Sequence, residues 1–216
     1  MPTVQQYRAD LDELVRIAAR DLAVLWRAVS DGETARDLLI EVLPLLGDTY
    51  GSAAATLAAD WYDDLRDELG VARRFTAEVA VPNLERTEAL ARWAVEPIFA
   101  PEPDFTTALN KANGGMQRLI ADAGRETVMQ SAIADPSADG WMRQAAGGCD
   151  FCRMLASRGA VYSERTVSFG AHDDCRCTAV PAFGGLERPV QPYAPGLTAT
   201  PEDRARTRAW MRANGY

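Results

Sequence analysis

Apolar residues recur at spacings of three and four through residues 3–29. Tyr7, Leu11, Leu14, Val15, Ala18, Leu22, Leu25, Trp26 and Val29 share one face there, which predicts an amphipathic helix. Ser30-Asp-Gly-Glu33 predicts a stop and then a capping box opening a second helix, which Pro44 and Gly47 should end. A third stripe runs from about Thr49 to Leu69 through Tyr50, Ala54, Leu57, Ala58, Trp61, Tyr62 and Leu65, with Gly70 as its stop. Asn83 can cap a fourth helix whose apolar set is Leu84, Leu90, Trp93, Ala94 and Phe99. Pro101 and Pro103 break the chain before Asp104 caps a fifth helix, carrying Phe105, Leu109, Ala112, Met116, Leu119, Ile120 and Ala123. Gly114-Gly115 predicts a weak or kinked middle for that helix, and Asp135-Pro136 closes the helical half. The tryptophan, tyrosine and leucine stripes could line a ligand groove. A packed helical core is the simpler reading.

The pattern changes near residue 140. Trp141 to Ala145 reads as a strand, Phe151 to Ser157 as one or two helical turns, and Gly159 to Tyr162 as a turn entering a short strand. Arg176 to Val180 reads as a returning strand that ends at Pro181. Residues 184–199 are rich in proline and glycine and predict an extended arm. Thr200 and Pro201 start a final helix, locally basic through Arg204, Arg206, Arg208 and Arg212. That helix could dock on a partner or fold back on its own core.

The fold class is therefore mainly α: a helical N-terminal body over 1–138, a small α+β module over 139–183, and an arm with a terminal helix over 184–216. The chain has 216 residues, 47% of them hydrophobic, enough for one large domain and a small appendage. The net charge of −8 opposes long-range attraction to DNA. The N-terminus has no secretory pattern, and no apolar run approaches the ~18 residues of a membrane span. These features predict a protein made and used in a reducing cytosol, where thiols favour metals over disulfides.

The chemistry is concentrated in one window. All four cysteines and the single histidine lie between Cys149 and Cys177, as Cys149-x-x-Cys152 followed by His172-x-x-Cys175-x-Cys177. Two close-spaced pairs at the ends of one loop are how a small module holds a tetrahedral zinc ion. Five donors compete for four places, and Cys149, Cys152 and Cys175 with His172, ahead of Cys177, form the expected set. One or two disulfides, or free thiols in an apolar knot, are the alternatives. A zinc deaminase would need His-x-Glu ahead of Pro-Cys-x-x-Cys, and a His-Glu-x-x-His peptidase needs two histidines. Neither arrangement is present. A nucleophile pair of His172 with Cys175 or Cys177 stays open but leaves the paired spacing unexplained. No Gly-x-Ser-x-Gly elbow and no phosphate-binding glycine loop accompany the cluster.

Gly148-Cys-Asp-Phe-Cys-Arg-Met-Leu-Ala-Ser-Arg-Gly-Ala-Val-Tyr162, followed by His172-Asp-Asp-Cys-Arg-Cys-Thr-Ala-Val-Pro-Ala-Phe183, resembles the phage Mu F-like minor head proteins, in the form carried by tailed phages of actinobacteria. Ala59-Asp-Trp-Tyr-Asp-Asp-Leu-Arg66 and Gly124-Arg-Glu-Thr-Val-Met129 look like the same group, so the likeness spans about residues 45–183. The broader family often has His-Pro where this chain has His172-Asp173. The resemblance implies a head-morphogenesis protein of the virion or procapsid, at the capsid interior or portal vertex and in the host cytoplasm during assembly. It implies the portal protein and the major capsid or scaffolding protein as partners, with packaged DNA as a further contact and no membrane. It implies a structural role without catalysis. The other readings are a cysteine/histidine hydrolase and a DNA-contacting zinc module using Arg153, Arg158, Arg165 and Arg176.

Overall fold

Thr3 accepts a hydrogen bond from the Gln6 amide and starts helix α1 (Val4–Trp26), which buries Tyr7, Leu11, Ala18 and Leu22. The structure, a computed structural model, describes residues 3–147, 150–160, 162, 168–184, 209 and 212. Cys149, Arg165, the proline-rich arm beyond Gly184 and the terminal helix, apart from Ala209 and Arg212, lie outside the described residues.

Asp31 caps α2 (Gly32–Asp37) in a reciprocal box with Thr34, so a box forms one residue later than the Ser30–Glu33 register expected. The expected break at Pro44 and Gly47 is not. A π-helical segment, Leu38–Val42, leads without interruption into α3 (Leu43–Glu68). Pro44 has no N–H to donate to Ile40, and the chain passes that position through a wider turn. Pro44 thus becomes the second residue of α3, where a missing N–H costs least. Gly47 sits inside α3, directly against Thr87.

Asn83 caps α4 (Leu84–Val95), which runs on as a 3-10 turn over Glu96–Phe99. Leu90 and Ala94 are buried as the stripe requires, but Leu84, Trp93 and Phe99 face outward. Lys111 places its ammonium 4.4 Å from the Trp93 ring centre, which gives the exposed indole a partner.

Asp104 caps α5 (Phe105–Ala134), the longest helix and the one that α1, α3 and α4 all pack against. Gly114 and Gly115 do not interrupt it. Gly115 instead admits Leu90 of α4: a Cβ there would stand 2.1 Å from Leu90 Cδ1 and 3.0 Å from its Cγ. In an open helix Gly→Ala stabilises by roughly 1 kcal/mol. Here Gly115→Ala is expected to destabilise by about 1–3 kcal/mol through overpacking, and by much less on a Leu90→Ala background. Urea unfolding of the four proteins in that cycle measures it. A stabilised Gly115→Ala would mean that the two helices do not approach so closely.

The two upstream stretches that carried the resemblance prove to be the ties between helices. Trp61 stacks on Tyr7 with ring centres 4.5 Å apart, joining α3 to α1. Asp63 accepts the Ala77 amide at 2.9 Å, and Thr127 accepts the Ala80 amide at 3.0 Å, so a half-buried and a buried side-chain anchor hold the extended 71–83 link. Arg66 and Tyr62 both reach Asp135 at the end of α5, at 2.6 Å and 3.1 Å.

After α5 the chain forms β1 (Trp141–Gln144), α6 (Asp150–Ala156) and β2 (Thr178–Pro181). The strands pair antiparallel, Trp141 opposite Pro181 and Gln144 opposite Thr178, and Tyr162 adds a single bridge to Trp141. All four residues of β2 are buried because the strand packs on α5. One apolar cluster therefore runs from Tyr7 and Leu22 in the helices to Trp141, Cys152, Phe169 and Cys177. Among the described residues, no helix is long and apolar enough to cross a membrane.

Candidate metal centre

Three elements bring the donors together. Cys152 lies on α6 and is buried. His172 and Cys175 close one tight turn, in which the Cys175 amide donates to the His172 carbonyl at 3.2 Å. Asp174 takes the left-handed conformation there, φ 61°, which aspartate tolerates better than bulkier residues do. The turn points both donors at Cys152. Its Sγ is 3.7 Å from Cys175 Sγ and 3.8 Å from His172 Nε2, and all three donor atoms lie within 4.8 Å of one another.

The two spacings from Cys152 are close to the edges of a zinc tetrahedron. Bonds of ~2.3 Å to sulfur and ~2.0–2.1 Å to nitrogen give edges of about 3.8 Å and about 3.6 Å. A disulfide would need sulfurs ~2.05 Å apart. Cys152, Cys175 and Cys177 are free thiols. The histidine is also oriented as a ligand: Nδ1 faces the Asp173 carbonyl, which fixes the proton on Nδ1 and leaves the Nε2 lone pair toward the sulfurs. A cavity of about 190 Å³ opens on the cluster, with Ala146, Gly147 and Cys177 in its wall. Cys152, His172 and Cys175 could together hold a metal ion, and their donor types suit one.

Cys149, three residues before Cys152, lies outside the described residues. Cys177 is buried beside the cluster but is not one of the three convergent donors. The hydrogen bond that Cys175 donates to Cys177, reinforced by burial, pushes the Cys175 thiol up to about 12. Accepting that bond brings Cys177 down to about 7 against the opposing pull of burial. Burial, with Cys175 alongside, pushes Cys152 up to about 11.

Two buried arginines surround the cluster, and neither was singled out by the sequence pattern. Arg125 of α5 donates to the Cys177 carbonyl at 2.9 Å, to the Cys175 carbonyl, and to Asp122 at 2.7 Å. Arg143 of β1 reaches Cys152 Sγ at 3.4 Å, the Gly170 carbonyl at 3.0 Å and the Phe169 carbonyl. The Phe169 ring lies under both guanidinium groups, 4.8 Å from Arg125 and 3.7 Å from Arg143. One signal was available in the sequence: an arginine on the inward phase of a strand, two residues from a buried tryptophan, needs a buried partner.

Two of the other basic residues near the knot are already paired. Arg153 contacts Asp150, and Arg176 lies 3.5 Å from Asp12 of α1.

A family model described as VG15 protein matches residues 2–199, a span that includes every helix of the body and all five candidate donors. No curated protein and no solved structure matches the chain.

Proposed function

The chain belongs to the VG15 protein family, a family of phage gene products, and on that premise we propose that it is a minor head protein of a tailed phage. Family membership supports a structural or virion-related role. The finer reading, a head-morphogenesis protein of Mu F-like type at the portal vertex or capsid interior, rests on the cysteine and histidine pattern. The observation that carries it is the convergence of Cys152, His172 and Cys175, because that is the pattern on which the resemblance turned.

In this reading the helical body is a base and the metal centre is a clasp. A bound zinc would supply no reaction; it would tie the His172–Cys175 turn to α6. Arg125 then fastens that turn to α5 through the carbonyls of Cys175 and Cys177. The result is a rigid knob suited to shape recognition by a portal or capsid subunit. Residues 184–216 supply reach and positive charge for the same partner.

A non-catalytic role is supported by the cysteines that converge with His172. Burial raises Cys152, and the hydrogen bond to Cys177 with burial raises Cys175, the opposite of activated nucleophiles, while Cys177, brought down to about 7, is not among the donors that converge with His172. A protein partner is favoured over DNA because Arg153 and Arg176 already face carboxylates on a chain of net charge −8.

Co-purification with the cognate portal tests the proposal. The full chain is expected to be retained, and deletion of residues 184–216 to weaken retention. Equal retention after deletion would remove the arm from the mechanism. No retention of the full chain by portal, capsid or scaffolding protein would remove the assignment.

A further inference from the structure

We propose that Arg143 is the residue that sets the electronic character of the metal centre, by donating an N–H···S hydrogen bond to Cys152 when that sulfur is a metal-bound thiolate. This rests on the metal reading above and concerns a residue outside the donor set.

Arg143 stands opposite Ala179 in the β1–β2 pair and is 3% exposed. A guanidinium so buried must satisfy a fixed fork of donors, or it would carry a large desolvation penalty. Its contacts account for both terminal nitrogens. One reaches the Phe169 and Gly170 carbonyls, which hold the approach to the His172 turn. The other reaches Cys152 Sγ at 3.4 Å, a normal length for a bond to sulfur. Phe169 lies against the guanidinium face and fixes its plane.

A divalent ion with two or more thiolates has little net positive charge left, or none, and a buried site of that kind gains from an adjacent cation. The same hydrogen bond draws electron density from one sulfur in particular. Arg125, by contrast, touches only backbone carbonyls of the cluster, so its part is positional. The two arginines therefore separate the electronic from the mechanical support of the site.

Four consequences can be measured with cobalt as the probe. Arg143→Met, which keeps an apolar stem under Phe169, should move the sulfur-to-cobalt charge-transfer band to longer wavelength. It should also weaken metal binding about tenfold or more in competition with a chromophoric chelator, the usual scale for loss of an outer-shell partner. Arg143→Lys keeps the charge and should recover affinity in part. A measurement on the native loaded chain needs no variant. Cys152 and Cys175 are almost equally buried, at 1% and 3% exposure, so their alkylation by iodoacetamide compares the sulfurs themselves. Peptide mapping should find Cys152 modified after Cys175. Cys152 modified first, or an unmoved band and affinity in Arg143→Met, would overturn the role of Arg143 and leave the metal centre standing. Native protein that takes up no cobalt would overturn both.

Discussion

Stripping the ion from the metal-loaded chain is expected to release the Cys/His segment and lower stability by several kcal/mol. Structural zinc contributes apparent binding energies of roughly 10–16 kcal/mol in peptides that cannot fold without it. The loss here should be smaller, because β2 keeps its packing on α5 and Trp141 keeps its stack with Tyr162, 4.4 Å between ring centres. His172→Gln and Cys175→Ala should each abolish stoichiometric metal and lower the melting temperature together. A variant that loses metal at full stability would show that the ion does not hold the fold. Uptake should also depend steeply on pH. Cys152 and Cys175 both hold their protons above the ordinary thiol range, so loading at neutral pH must expel about two of them. Affinity should therefore rise with pH, and calorimetry in buffers of different ionisation enthalpy counts the protons. The apo fold has the opposite trend from these two groups. Their contribution is intact below the unfolded thiol value and is lost as pH rises toward the folded ones, because unfolded thiols ionise first. A proton count near zero would remove both cysteines from the shell.

Breaking the pair between Arg66 and Asp135 is expected to be the most damaging single change in the helical body. Arg66 Nε lies 2.6 Å from Asp135, and the side chains are 4% and 0% exposed. Asp135 also accepts from Tyr62 at 3.1 Å and from the Ser137 amide at 2.9 Å, while Arg66 donates to the Arg73 carbonyl at 3.1 Å. Removing one partner strands a buried charge, which costs about 3–5 kcal/mol. For a chain of this length that is on the order of 10 °C in melting temperature. Asp135→Ala followed by circular dichroism on heating measures it. Asp135→Leu with Arg66→Met should recover part of the loss: an apolar pair leaves no buried charge, while the Tyr62 hydroxyl and the Ser137 amide still lose their acceptor. A single-variant loss under about 1 kcal/mol would mean that the pair is solvated in solution.

Much of the helical half was legible. Asn83 and Asp104 sit where their side chains accept from the first turn, and a cap acts within three residues, so a local signal suffices. Pro44 misled because a proline ends a helix only if the chain has no wider turn available, and the π segment provides one. Gly115 misled because its lack of a side chain serves Leu90 of another helix, 25 positions away along the chain. Trp93 and Phe99 fit the spacing of an apolar stripe, but exposure depends on which face has a neighbour.

The residue types in the Cys149–Cys177 window by themselves determined that this chain carries a candidate metal site, because soft donors in close pairs are a covalent property of the sequence. The helical body was likewise determined locally, by periodicity and caps. Only the tertiary structure decided that Cys152, His172 and Cys175 converge, that Cys177 is buried beside them, and that Arg125 and Arg143 enclose the site. Arg125 and Cys177 are 52 positions apart in the chain, and no pattern along it encodes which buried cation meets which carbonyl or sulfur. That follows from packing, where each buried charge must find its partner in space.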